Sequence, residues 1–200
     1  MPDESIYRFG AVIPAAGLSS RMGVFKPLLP FGSSTVIETA VGSVLPYTTA
    51  ATVVIGHRGK EIREVLQSRF GDRLMIVQNP DYASSDMLTS VKIGLRTLRE
   101  CDAFFLLPAD MPLIAPQVYE DLIKACDSSA EILIPILDGR RGHPPLIASS
   151  VIPDILAYEG EGGLKAIFAG RRVKEIEVTD SGVAVDLDTP QDYERVIHYR

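Results

Sequence analysis

The sequence predicts an α/β domain with a mostly parallel central sheet between two layers of helices. Three observations lead there. Apolar runs of strand length alternate along the chain with helical patterns. The first run, Phe9–Ala15, passes directly into a small-residue loop, as a parallel strand does where an open sheet receives a ligand. The length of 200 residues, 46% of them hydrophobic and 23% charged, suits one domain with a single sizeable core.

Taken in order, Phe9–Ala15 reads as a buried strand and Thr35–Ser43 as a helix. The strand Ala51–Ile55 and helix Lys60–Arg69 follow, then the strand Leu74–Gln78 and helix Met87–Leu98. Ala103–Leu107 is a further buried strand. It precedes a helix at Pro116–Asp127, whose proline suits a first-turn position where the missing N–H costs nothing. The second half alternates less cleanly. Strands are expected at Ile132–Ile136, Pro145–Ala148, Val173–Val178 and Val183–Asp186, and helices at Ser149–Ala157, Gly163–Ala169 and Pro190–Tyr199. No repeat, low-complexity tract or linker divides the chain, so a single domain over 1–200 is expected.

Composition excludes several classes. A formal net charge of −6 argues against a general nucleic-acid surface. No apolar run approaches the roughly 20 residues needed to span a bilayer. The polar start MPDESIYRFG does not read as a signal peptide. Cys101 and Cys126 lack metal-ligand spacing and read as free thiols, which points to the cytoplasm.

The chemistry concentrates in Pro14–Lys26. Gly17 and Gly23 allow backbone N–H groups to converge on an anion, and Arg21 and Lys26 place two positive charges beside them. A polyphosphate uses all of these features. The spacing is not a Walker loop, because five residues separate the glycines and the lysine follows three positions after the second. Further on, the apolar run Phe104–Leu107 ends in Pro108-Ala109-Asp110. If both strands are parallel, the Asp110 carboxylate emerges at the same sheet edge as the glycine loop, where triphosphate chemistry needs a divalent ion.

The string AAGLSSRMGVFKPLLP resembles the signature of the MobA-like nucleotidyltransferase family, which includes molybdenum cofactor cytidylyltransferases and guanylyltransferases. Matching motifs run from Ala11 to Tyr193. The resemblance implies a Rossmann-like, three-layer α/β/α nucleotidyltransferase domain. It implies that Ala15, Ala16, Gly17, Ser19, Arg21 and Lys26 bind nucleotide, with Lys26, Arg21 and Asp110 serving catalysis. Asp110 of Asp-Met-Pro and Asp188 of the closing Asp186-Leu187-Asp188-Thr189-Pro190 would hold Mg²⁺, with Mn²⁺ as the alternative. Asp186 is the weaker metal candidate, and either Asp188 or Thr189 could cap the last helix.

Asn79-Pro80-Asp81-Tyr82 and the following helix resemble the base-binding element, with Asn79 and Ser90 as contacts. A Ser85-Asp86-Met87 stretch stands there in place of the usual Gly-Met pair. Ser84, Ser85 and Thr89 suit N-capping as well as ligand contact. Ala15-Ala16-Gly17 favours CTP over GTP, since related guanylyltransferases carry Ala-Gly-Gly. On the acceptor side, Arg140, Gly142 and His143 resemble a Gly-His-Pro element, and Gly163 and Lys165 an acceptor loop. Arg140 and His143 would meet an anionic acceptor such as a pterin phosphate.

The expected activity is transfer of CMP from CTP to molybdopterin with release of pyrophosphate, with transient contact to a molybdoenzyme or its chaperone. Two rival readings are a transferase using GTP or a sugar phosphate, and a non-catalytic cofactor carrier.

Overall fold

The computed structural model describes residues 7–18 and 23–197. Its elements are β1 (Phe9–Ala15), β2 (Pro30–Phe31), β3 (Ser34–Thr35), α1 (Val36–Val44), β4 (Ala50–Ile55), α2 (Gly59–Phe70), β5 (Met75–Gln78), α3 (Met87–Thr97), β6 (Ala103–Leu106), α4 (Pro116–Ala125), β7 (Ile132–Leu137), β8 (Arg140–Arg141), β9 (Leu146–Ala148), α5 (Ile152–Ala157), α6 (Gly163–Phe168), β10 (Val173–Glu177) and α7 (Pro190–Ile197).

The main sheet has the order β10-β7-β9-β6-β1-β4-β5, with β8 added to β7. β1 lies between β4 and β6, parallel to both. Along this path only β9 is reversed, antiparallel to β6 and to β7. The carboxyl ends of β1, β4, β5, β6 and β7 therefore reach one edge of the sheet.

Alternation along the strands builds the layers. Ala11, Ile13 and Ala15 of β1 join Val53 and Phe105 on one face, under Val41 of α1, Ile62 and Leu66 of α2, and Leu122 of α4. Val12 points the other way, with Phe104, Leu106 and Ile134, under Val91 and Leu95 of α3, Ile155 of α5 and Ile167 of α6. Opposite pointing of successive strand side chains makes both faces apolar, as a sheet covered on both sides requires. A smaller cluster of Phe31, Val36, Leu187 and Val196 seats α7 beside the β2–β3 hairpin.

Local chemistry starts the helices where the sequence suggests. Thr35 caps α1 in a reciprocal box with Glu38. Pro116 occupies the first turn of α4, and Pro190 opens α7. Cys101 and Cys126 are free thiols, as expected.

The structure corrects the sequence reading in places. Val183–Asp186 is not a strand; Ser181–Ala184 form a 3₁₀ turn. The positions beside β7 are already filled by β9 and β10. Asp180 also bends the chain by accepting the Gly182 N–H at 3.1 Å. The helix expected at Ser149–Ala157 opens with a separate 3₁₀ turn, Ser149–Val151. The end of the last expected helix lies outside the described residues. Among the described residues, no helix is long and apolar enough to cross a membrane.

α3 approaches the sheet closely because Gly94 lacks a side chain. A Cβ built there lies 2.6 Å from Val12 Cγ1 and 3.0 Å from Val54 Cγ2. Gly94→Ala is expected to destabilise the fold by about 1–3 kcal/mol through overpacking, despite alanine's better helix propensity. Urea denaturation would show it as a lower midpoint with unchanged slope.

Candidate functional site

A cleft of about 680 Å³ opens at the shared carboxyl edge. One wall is the Pro14–Leu18 segment that leaves β1, and the floor includes Pro108–Met111 beyond β6. Tyr82, Ser85, Asp86, Met87 and Ser90 form a second wall, and Arg140–His143 a third. Lys26, Asp186 and Asp188 complete the lining. The side-by-side exit of β1 and β6 continues past the strands, where Leu107 N–H donates to Val12 O (3.1 Å) and Ala109 N–H to Pro14 O (3.3 Å).

Gly17 lines this cleft, and a Cβ built on it meets nothing within 4 Å. Neither packing against described residues nor a left-handed backbone requires glycine there, so its missing side chain leaves room beside the main chain. Gly23 differs, because its φ of +68° favours glycine directly. Ser19 and Arg21 lie outside the described residues.

Lys26 stands at the centre. It begins a 3₁₀ turn, Lys26–Leu28, and is only 9% exposed. Its Nζ donates to Asp110 Oδ2 at 2.9 Å and to Asp188 Oδ1 at 2.9 Å. Burial pulls against the charged amine. Attraction to Asp110, hydrogen bonds to both carboxylates and attraction to Asp188 outweigh it and hold the pKa above its ordinary value.

Backbone contacts bring these distant residues together. Leu187 N–H donates to Asp110 O at 3.2 Å, so the segment carrying Asp188 is pinned to the segment carrying Asp110. Upstream, Asp180 accepts the Ala115 N–H at 2.9 Å, tying the same segment to the start of α4. Thr189 and Asp192 cap α7 reciprocally, with Asp192 N–H donating to Thr189 Oγ1 (3.2 Å) and Thr189 N–H to Asp192 Oδ2 (2.9 Å). Capping thus falls to Thr189, while the Asp188 carboxylate accepts from Lys26. Asp186 also faces the cleft. Burial, and then the charges of Asp188 and Asp110, push its carboxyl pKa up.

The donor set fits Mg²⁺. That ion binds through one or two carboxylates, keeps several waters and takes the remaining oxygens from substrate phosphate. Asp110 and Asp188 converge on a single ammonium and so supply such a pair. Among the described residues no cluster of three or more side chains forms a closed metal cage.

The second wall rests on a buried amide. Asn79 is 1% exposed and stands behind the cleft lining, not within it. Its Nδ2 donates to Ser85 Oγ (2.9 Å) and Ser90 Oγ (3.0 Å), while Oδ1 accepts the Asp81 N–H (3.0 Å). Asn79 therefore orients the serines that face the cavity. Asp86 caps α3 by accepting the Thr89 N–H at 2.8 Å. This role went unread in the sequence, although an aspartate directly before a helical pattern signals it.

Gly56, at the end of β4, was also missed. A Cβ there would lie 2.5 Å from Ala16 O and 2.6 Å from Tyr82 Cβ. The Ala16 loop and the Tyr82 loop close together only over a glycine. Phe25 buttresses the same region, with His57 edge-on at 5.3 Å and the Arg58 guanidinium 4.9 Å from its ring centre. Phe25 and Phe31 are buried packing residues.

The third wall comes from β8, a strand the sequence did not reveal. Asp138 and Gly139 take the left-handed backbone of its tight turn. Arg141 pairs with Glu175 at 2.8 Å, while Arg140 lines the cleft. Gly142 N–H donates to Pro135 O and His143 N–H to Val183 O, both at 2.8 Å. Burial pushes the His143 pKa down. A hydrogen bond to the Leu106 backbone and the charges of Asp110 and Asp186 offset this only in part. Gly163 and Lys165 start α6, which packs against α3 and α5 outside the cleft lining.

Asn79→Ala would leave the hydroxyls of Ser85 and Ser90 without their donor. The expected cost is about 1–3 kcal/mol of stability. Hydrogen exchange should report faster opening at residues 79–90 than elsewhere in the chain.

Comparison with known proteins agrees with this architecture. Residues 11–176 match the MobA-like NTP transferase domain. The molybdenum cofactor cytidylyltransferase of Escherichia coli (strain K12) is 28% identical over 182 residues, covering 91% of this chain and 92% of its own. A probable molybdenum cofactor guanylyltransferase of Bacillus anthracis is 26% identical over 143 residues, covering 71% of this chain and 68% of its own. Among solved structures, a nucleotidyl transferase from Methanothermobacter thermautotroptrophicus superposes with a TM-score of 0.82 at 26% identity, covering 96% of this chain and 97% of the other. With its parallel sheet, its glycine-bordered cleft and a family match over most of its length, the chain belongs to the MobA-like NTP transferase family.

Proposed function

We propose that the protein transfers CMP from CTP to a molybdopterin-type acceptor and releases pyrophosphate. The observation that carries this reading is the meeting of Lys26, Asp110 and Asp188 in one cleft beside the space at Gly17. A triphosphate laid along the Ala15–Gly17 loop would meet main-chain N–H groups and the Lys26 ammonium. Ser90 and Tyr82 would face its base end, and Arg140 and His143 would face the acceptor.

In the reaction, a terminal phosphate oxygen of the acceptor attacks the α-phosphorus of CTP. A new P–O bond forms, the α–β phosphoanhydride bond breaks, and pyrophosphate leaves with the electron pair. The attacking phosphate is already ionised, so no general base is required. Positioning and charge stabilisation carry the rate. Mg²⁺ held by Asp110 and Asp188 would neutralise phosphate charge. Arg140 would supply fixed positive charge to the acceptor. His143, with its pKa lowered by burial, would contribute hydrogen bonding.

Two facts support CTP. Ala16 keeps a methyl group on the cleft wall. The cytidylyltransferase relative matches along 91% of this chain, and the guanylyltransferase relative along 71%. A cytoplasmic location suits the two free thiols.

The test is a nucleotide panel with Mg²⁺, with and without molybdopterin, read by pyrophosphate release. CTP with molybdopterin is expected to give the fastest release. Asp110→Asn is expected to lower turnover about 10²–10³-fold, as loss of a preorganised charge contact does. Equal turnover by Asp110→Asn, or release that ignores molybdopterin, would overturn the assignment.

A further inference from the structure

We propose that His57 is a positioning residue for the nucleotide, whose ring holds Tyr82 at the base end from an anchor at Phe25. This rests on the reading of Tyr82 as part of the base-side wall. The three side chains form a short ladder. Phe25 is buried and directly precedes Lys26. His57 stands edge-on to it, with ring centres 5.3 Å apart and planes at 77°. The same imidazole meets the Tyr82 ring, centre to centre at 6.0 Å and tilted by 46°. At such separations aromatic rings attract each other beyond simple burial. Tyr82 lines the cleft and His57 does not, so the imidazole backs the tyrosine.

Anchoring is uneven along the ladder. Phe25 is also covered by the Arg58 guanidinium, 4.9 Å from its ring centre. Arg58 is itself held by Glu61 of α2, with its Nε donating to Glu61 Oε1 at 2.6 Å. Tyr82 lies on the connection between β5 and α3 and is half-buried. Close approach to Gly56 fixes its backbone end, while His57 meets its ring. Loss of the imidazole therefore falls on Tyr82 more than on Phe25. The tyrosine ring loses its backing, and the turn that carries Lys26 stays in place. The nucleotide site thus has a base end that depends on His57 and a phosphate end that does not.

Two probes separate these ends: CTP, which spans both, and inorganic tripolyphosphate, which has no base. Calorimetry with Mg²⁺ present gives the Kd of each. His57→Ala is expected to weaken CTP binding about 3- to 10-fold, as loss of an aromatic contact does. Tripolyphosphate should bind as it does to the parent, which also shows that the variant is folded. His57→Phe keeps a ring without the nitrogens and should restore CTP binding. His57→Asn keeps polarity without a ring and should not. Unchanged CTP binding in His57→Ala overturns the role, as does equal weakening of both probes. Parent-like binding by His57→Asn with failure of His57→Phe overturns it too. Tyr82→Ala completes a double-mutant cycle. It should weaken CTP binding, and adding His57→Ala to it should cost little more. Full additivity overturns the role of His57 alone. Parent-like CTP binding by Tyr82→Ala overturns the base-side reading and the role of His57 together.

Discussion

The hydrogen bond from Leu187 N–H to Asp110 O is the constraint on which the site depends. It joins the last segment of the chain to the end of a central strand. It sets where Asp188 stands relative to Asp110 and so where both carboxylates meet Lys26. The bond is in turn determined by its neighbours. Asp180 ties the 180–184 turn to Ala115, and Thr189 with Asp192 sets where α7 begins. Leu187 itself is fully buried against Phe31, Val36 and Val196, so apolar packing and the backbone bond hold the same residue.

Electrostatics follows from this arrangement. Among the described residues, Asp110, Asp186 and Asp188 share a partly buried space with the Lys26 ammonium, and burial of such charges favours their pairing. Lys26 provides the pairing with Asp110 and Asp188, while Asp186 is left with a raised pKa. Parallel strands make the concentration of charge possible, because they carry several loops to the same edge.

The first half of the fold was legible because its strands are continuous apolar runs, each followed by a helical pattern. Asp110 could be read from the same logic, as an acid placed where a buried strand ends. Asp188 came only through resemblance, because its position depends on a contact between residues 110 and 187 that no local pattern encodes. Residues 183–186 misled for a physical reason. Their apolar alternation suits a strand, yet the sheet has no vacant place beside β7, and the chain bends into a turn. Resemblance offered Asn79 as a contact to the base, and its part as a buried support was not legible. Spacing along the chain does not show that one amide reaches both Ser85 and Ser90.

Gly56 has one more consequence. The gap between the Ala16 loop and Tyr82 is set by the Gly56 main chain, which lies against the Ala16 main chain and the Tyr82 Cβ with no side chain of its own to shorten. Exchanging single lining residues can trim this aperture by the volume of a methyl group. Refashioning it for a much larger ring would mean re-spacing adjacent backbone segments together, so drift in substrate choice within this scaffold is confined to small steps.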